Sequence, residues 1–189
     1  ARSARQRAAG RPPRAAPGKD DDNGGEDACF QEEDEWVELL NGEDTSGWHK
    51  PFDWGDVAVT GGEVRLTGSR KFFLVTEKKY ADFILEAEVQ IPNNGNSGIQ
   101  FRSDYKKNRV WGYQAEVDPS DRKWAGGLYD EGRRAWLAPL TGKPEAQAAY
   151  KRDGWNKYRI HAEGDHLRIW LNGVPTADYA ARMGHSVIV

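Results

Sequence analysis

The sequence predicts an all-β fold, an antiparallel sandwich of two sheets, on three observations. From Trp36 onward apolar side chains recur at every second position, the period of a strand with one dry face. Gly61-Gly62, Gly164-Asp165 and Asn172-Gly173 stand between neighbouring runs, where two-residue turns close hairpins. No long stretch carries the 3.6-residue period of an amphipathic helix, and about ten short strands without helices point to a sandwich rather than a parallel sheet.

Residues 1–33 lie outside this pattern. They combine Ala, Arg, Pro, Gly and Asp with almost nothing to bury, so a disordered charged tail is expected there and the sandwich is expected over 34–189. Strands are expected near 36–40, 57–60, 63–67, 72–76, 83–91, 97–103, 110–118, 155–163, 166–172 and 174–178. Phe83 to Ile91 shows the alternation most clearly, with Phe83, Leu85, Ala87, Val89 and Ile91 apolar and Glu86, Glu88 and Gln90 turned away. Trp155 to His161 and Leu167 to Leu171 form a strong hairpin whose Tyr158, Ile160, Leu167, Ile169 and Leu171 read as the centre of the core. Residues 136–152, with Pro139 and Pro144, read as an irregular loop containing one helical turn.

Composition narrows the function classes. The 189 residues carry a net charge of −3, which gives no general reason to bind nucleic acid or an anionic membrane. The charge is unevenly spread. Residues 1–19 hold six positive charges and no acid, residues 20–38 hold ten acids and no base, and the rest sums to +1. The basic arm is therefore read as a linker beside its own counter-charges, not as a nucleic-acid contact. One cysteine, Cys29, rules out an intrachain disulfide, and no apolar run approaches the ~18 residues a membrane span needs. No metalloprotease, P-loop or nucleophile-elbow motif occurs.

The residues that carry chemistry sit on two strands. Ile99 and Phe101 alternate with Gln100 and Arg102, and Tyr113, Ala115 and Val117 alternate with Gln114, Glu116 and Asp118. If the strands are neighbours, one face gathers Gln100, Arg102, Gln114, Glu116 and Asp118. Paired donors and acceptors of this kind bind sugar hydroxyls, although an Arg–Glu pair on a solvated face gives the same spacing. The turn Asn93 to Gly98 at one end of that face, and Trp111 and Trp124 beside it, favour a binding site. Tyr129, after Gly126-Gly127, is either a phenol donor or a packing residue. Arg133 and Arg134 either stack on a sugar or answer the acidic block, and His161, on the face of Lys157 and Arg159, is expected to be exposed.

Taken in order, NSGIQFRS (96–103), GYQAEVD (112–118), GGLYDE (126–131) and WNKYRI…IWLNG (155–173) resemble the 3-keto-disaccharide hydrolase domain family, found mainly in bacteria. The opening Trp36 to Trp48 is similar to that family's "LFNGKDLSGW". The resemblance implies a concanavalin A-like jelly-roll sandwich acting on an oxidised glycoside, with an upstream sugar oxidoreductase as pathway partner and a periplasmic or secreted location. Its implied chemistry is proton abstraction at carbon 2, elimination from carbon 1 and hydration. It implies Glu116 or Asp118 as base, Tyr129 as proton donor, and Gln100, Arg102, Gln114, Trp111 and Trp124 as substrate contacts. A divalent metal ion held by Glu116, Asp118 and His185 is the alternative use of those carboxylates. A non-catalytic carbohydrate-binding module is the competing function. The family continues past Gly184-His185 with further strands, whereas this chain reads Ser186-Val187-Ile188-Val189, so a sandwich lacking its last one or two strands is expected.

Overall fold

The computed structural model describes the backbone of residues 2–10 and residues 36–181 in full. Among them are fourteen strands and one short helix. In chain order the strands are β1 (Arg2–Gly10), β2 (Trp36–Glu38), β3 (Trp48–His49), β4 (Gly55–Thr60), β5 (Glu63–Gly68), β6 (Val75–Thr76) and β7 (Phe83–Gln90). They continue as β8 (Ser97–Lys106), β9 (Arg109–Val117), β10 (Leu128–Glu131), β11 (Ala135–Ala138), β12 (Asn156–Glu163), β13 (His166–Leu171) and β14 (Val174–Ala180). Helix α1 is Pro144–Ala148, opened by a proline at its first turn, where no backbone donor is needed.

Two antiparallel sheets make the sandwich. The larger runs β14-β13-β12-β7-β1-β5-β4, with β2 beside β1, and the smaller runs β11-β10-β9-β8. The expected strands are all found. Gly61-Gly62 and Asn172-Gly173 close β4–β5 and β13–β14 with positive φ at both turn residues, which suits the right-handed twist of the flanking strands. In the 136–152 region the expected helical turn is α1, but Ala135–Ala138 is a strand paired with β10 and not loop.

The core lies between the sheets. Phe83, Leu85, Ala87 and Val89 of β7, Tyr158 and Ile160 of β12 and Leu167, Ile169 and Leu171 of β13 meet Ile99, Phe101, Ala115, Val117 and Leu128 from the smaller sheet. Each large aliphatic side chain buried this way contributes ~1.5–3 kcal/mol. Two polar groups cross the core with partners. The Tyr158 hydroxyl donates to Glu116 O at 3.0 Å, and Thr176 Oγ1 lies 2.8 Å from Gly126 O. Gly126 permits that approach, since a Cβ there would stand 2.8 Å from Thr176 Oγ1.

Arg2–Gly10 corrects part of the expected disordered tail. It is a strand, paired with β7 along its length and with β5 at its start. The physical reason is the slot, not the segment. Without β1, both β7 and β5 would present unpaired backbone N–H and C=O groups. The register sets Arg5 opposite Glu88 and Arg7 opposite Glu86. The rest of the expected tail, and the end of the chain where strands were expected to be lacking, lie outside the described residues.

Candidate active site

The outer face of the smaller sheet carries a continuous run of side-chain hydrogen bonds. Strands β8 and β9 pair with Gly98 opposite Glu116 and Gln100 opposite Gln114. A Cβ at Gly98 would stand 2.3 Å from Gln114 Cδ, so glycine leaves the space in which the Gln114 amide lies. That amide accepts from Gln100 Nε2 at 2.9 Å and donates to Glu116 Oε2 at 2.9 Å. Asn96 Nδ2 donates to the other carboxylate oxygen of Glu116 at 2.8 Å, and Ser103 Oγ donates to Gln100 Oε1 at 2.7 Å. Ser103, Gln100, Gln114, Glu116 and Asn96 thus form one chain ending on a carboxylate.

The two acids differ in kind. Glu116 is 4% exposed, and burial raises its pKa above the usual carboxylate value. The amide donors of Asn96 and Gln114 pull it partly back, and the charge of Asp118 adds to the rise. Burial acts to raise Asp118 as well, but hydrogen bonds from Ser120 and Arg122 outweigh it and the carboxyl is lowered. Its Oδ1 accepts from Ser120 N at 2.9 Å, and its Oδ2 accepts from Arg122 Nη2 at 2.6 Å and Nε at 3.0 Å. Asp118 ties down the loop after β9, while Glu116 keeps a proton affinity that a general base can use.

Arg122 is the residue sequence reasoning missed. Its guanidinium sits 5.0 Å from the ring centroids of both Trp124 and Trp136, and Nη2 stands 3.7 Å from Glu116 Oε1. Trp124 and Trp136 pack edge to face at 4.7 Å, and Tyr129 joins Trp136 at 5.1 Å. Tyr129 is opposite Gln114 in the β9–β10 register and so shares the face of Glu116. Asn96 was marked only as part of a turn. The signal for Arg122 was its place four residues after Asp118, in a loop opened by Asp-Pro-Ser. Tyr150 was also missed. Its hydroxyl is buried, with no hydrogen-bond partner, and its pKa is raised by burial and then by the charge of Asp118.

Arg102 does not join the site. The β8–β9 register shifts between Phe101 and Asp104, and Arg102 has a φ of 46°, so the alternation breaks at this residue. Its guanidinium donates instead to Ala81 O at 2.7 Å, Asp82 Oδ1 at 2.7 Å and Gly164 O. These bonds clamp the β12–β13 turn to the segment before β7 and hold the strained backbone. Trp111 is opposite Asp104, five residues from Glu116, about 17 Å along the strand at ~3.4 Å per residue. Arg133 and Arg134 are both committed to the fully buried Asp130, at 2.7 and 2.5 Å. His161 is buried, not exposed, because Arg168 lies across it with Nη2 2.7 Å from His161 Nδ1.

The two carboxylates of the metal alternative, Glu116 and Asp118, already face a cation, since Arg122 bridges them. Among the described residues no three His, Cys, Asp or Glu side chains converge, and His185 lies outside them.

The structure is thus a two-sheet β-sandwich whose smaller sheet carries an amide-lined, aromatic-edged polar face. The signature of the 3-keto-alpha-glucoside-1,2-lyase-like domain matches residues 35–186, and the chain belongs to that family. Membership supports a carbohydrate role, either glycoside-cleaving or carbohydrate-binding. No curated protein matches the chain significantly. No helix among the described residues is long and apolar enough to cross a membrane.

Proposed function

We propose that this chain cleaves glycosides whose carbon 3 is already a ketone, and that Glu116 is the base. The carbon 3 ketone acidifies the proton on carbon 2. Glu116 takes that proton, the electron pair forms an enolate, and the enolate expels the aglycone oxygen from carbon 1. The departing oxygen takes a proton, for which Tyr129 is the donor on the same face. Water then adds across the carbon 1–carbon 2 double bond, hydroxyl to carbon 1 and hydrogen to carbon 2, giving net hydrolysis. Arg122, beside the carboxylate, stabilises the developing enolate charge. Gln100 and Gln114 hold sugar hydroxyls. A separate sugar oxidoreductase must supply the ketone.

The observation that carries this reading is the environment of Glu116: buried, raised in pKa and held by two neutral amides and not by a bidentate ion pair. A paired-carboxylate glycosidase needs two acids across the scissile bond, whereas here the second acid is tied to Arg122. The edge-to-face cluster of Trp124, Trp136 and Tyr129 favours a binding module as second reading, because aromatic rings bind sugars without any base.

Incubation with matched oxidised and unoxidised disaccharides separates the two. The expected outcome is cleavage of the oxidised sugar alone, and in D2O the released 3-keto sugar gains deuterium at carbon 2. Binding of both sugars without product assigns the chain to the binding module. Cleavage without deuterium at carbon 2 sinks the elimination step.

A further inference from the structure

A cleft opens at the far end of the same face. It has a volume of about 360 Å³ and is lined by Phe52, Trp54, Arg70, Phe73, Arg109 and Glu131, among others. Glu131 is opposite Gly112, and Tyr129 is opposite Gln114, so the cleft begins four residues along β9 from Glu116. At ~3.4 Å per residue that is about 14 Å. A sugar ring reacting at Glu116 cannot itself fill the cleft, but the distal part of its substrate can.

The cleft is built for one sign of charge. Phe52 stacks on Trp54 at 4.6 Å and 6°, which leaves the other face of the indole to the Arg70 guanidinium at 4.3 Å. Trp54 is itself fixed, since its Nε1 donates to Lys71 O at 2.6 Å. Arg70 is therefore held over the indole face, and the planar fork of a guanidinium suits carboxylate recognition. Arg109 spends one donor on Gly132 O at 2.7 Å and keeps the others. Lys71 pairs with Glu131 at 2.5 Å, so that carboxylate answers one of the three cations. Among the described residues, neither Arg70 nor Arg109 has a carboxylate partner.

We propose that this cleft is a subsite for an anionic sugar unit, a ring with an apolar face and a carboxylate edge, in the leaving-group part of the substrate. The inference rests on the glycoside-cleaving reading above and adds the charge class of the aglycone. Phe73 contributes an aromatic wall for the ring, and Arg70 with Arg109 contributes the carboxylate contacts. Glu131 holds Lys71 at the rim and disfavours a second negative charge there.

The test uses the full chain and two probes, glucosyl–glucuronic acid and glucosyl–glucose, each oxidised at carbon 3 of the glucosyl ring. The acidic probe is expected to have a kcat/KM roughly tenfold higher, through KM, as befits charge-assisted contacts remote from the reacting bond. The ratio should fall towards one in Arg70→Gln and in Arg109→Gln. It should fall likewise for the unmodified chain in about 0.5 M salt, which decides the matter if either variant misfolds. Equal kcat/KM for the two probes at low salt overturns the subsite and leaves the cleavage reading intact. If neither probe is cleaved, the cleavage reading fails and equilibrium binding decides the cleft. Tighter, salt-sensitive binding of the acidic probe supports it, and equal binding overturns it.

Discussion

The two sheets turn polar faces outward, and the faces are organised in opposite ways. On the larger sheet, Glu86 accepts from Lys157 Nζ at 2.7 Å and from Arg159 Nη1 at 2.9 Å, so its charge is matched twice and its pKa is lowered. On the smaller sheet, Glu116 is more deeply buried and is met chiefly by neutral amides, and its pKa is raised. Both acids sit at alternate strand positions, and sequence spacing alone treats them alike. The difference lies in the partner's charge. An ion pair spends the carboxylate on structure, whereas amide donors orient it without removing its affinity for a proton.

The largest expected effect follows directly. Glu116→Gln should lower turnover of a 3-keto-glycoside by a factor of about 10²–10⁴, the usual worth of a general base, while the chain stays folded. Steady-state assays with circular dichroism as the folding control measure both. Turnover within a few-fold of the unmodified chain would put the base elsewhere and remove the functional difference between the two faces.

Gly98→Ala tests the amide chain without touching the carboxylate. The three atoms nearest the new Cβ all belong to the Gln114 side chain, which must swing aside, so stability should fall by about 1–3 kcal/mol. The swing breaks the bonds from Gln100 to Gln114 and from Gln114 to Glu116. Loss of a donor to Glu116 raises its pKa further, so the acid limb of the pH–rate profile should move to higher pH, with a clear drop in rate at neutral pH. An unmoved acid limb would mean that Gln114 does not tune Glu116.

Much of this was legible in the alternation of residues. The parity of Phe83 to Ile91, of Tyr113 to Val117 and of the β12–β13 hairpin survives in the structure because each strand buries one face, and a one-residue slip would expose it, whereas Asp118 falls in the loop after β9. Arg102 was misread because parity fails across a bulge. An arginine at positive φ carries no residue-type signal, whereas glycine at Gly112 does. Arg2–Gly10 was misread because its composition favours no strand. It pairs because two neighbours leave backbone groups to satisfy. His161 was misread because its covering group, Arg168, comes from the adjacent strand, and lateral neighbours are invisible to spacing within one strand. Arg122 lies in a loop, where there is no period to read.

The larger face has its own titration signature, of intermediate size. Burial, then the charges of Arg168 and Arg159, lower the His161 pKa from 6.5 to about 4. The unfolded chain therefore takes a proton near 6.5 that the folded chain refuses until about 4, and stability falls as pH drops through that window. Between about pH 7 and 5 the loss is of order 2 kcal/mol. Glu116 acts with the opposite sign, since its raised pKa lets the folded chain hold a proton the unfolded chain has lost. Comparing urea midpoints for the unmodified chain and His161→Gln isolates the histidine. The unmodified chain should lose stability relative to the variant as pH falls, and parallel curves would mean that His161 titrates normally.

The smallest effect is expected at Glu86, and it sharpens the contrast most directly. Glu86→Gln keeps the shape and removes the charge that Lys157 and Arg159 share. Both partners are about half exposed, so solvent and salt weaken the pairs and the loss should be ~1 kcal/mol or less, shrinking further in high salt. The lowered pKa fixes the sign of the pH dependence: the contribution is present above the ordinary carboxylate value of 4.5 and is lost as pH falls through the folded value. Turnover should be unchanged, because Glu86 lies on the sheet opposite the one that carries Glu116. The same chemical change, carboxylate to amide, then abolishes activity on one face and costs a little salt-sensitive stability on the other. A Glu86→Gln protein that kept its stability but lost turnover would place chemistry on the larger sheet and reverse the assignment of the two faces.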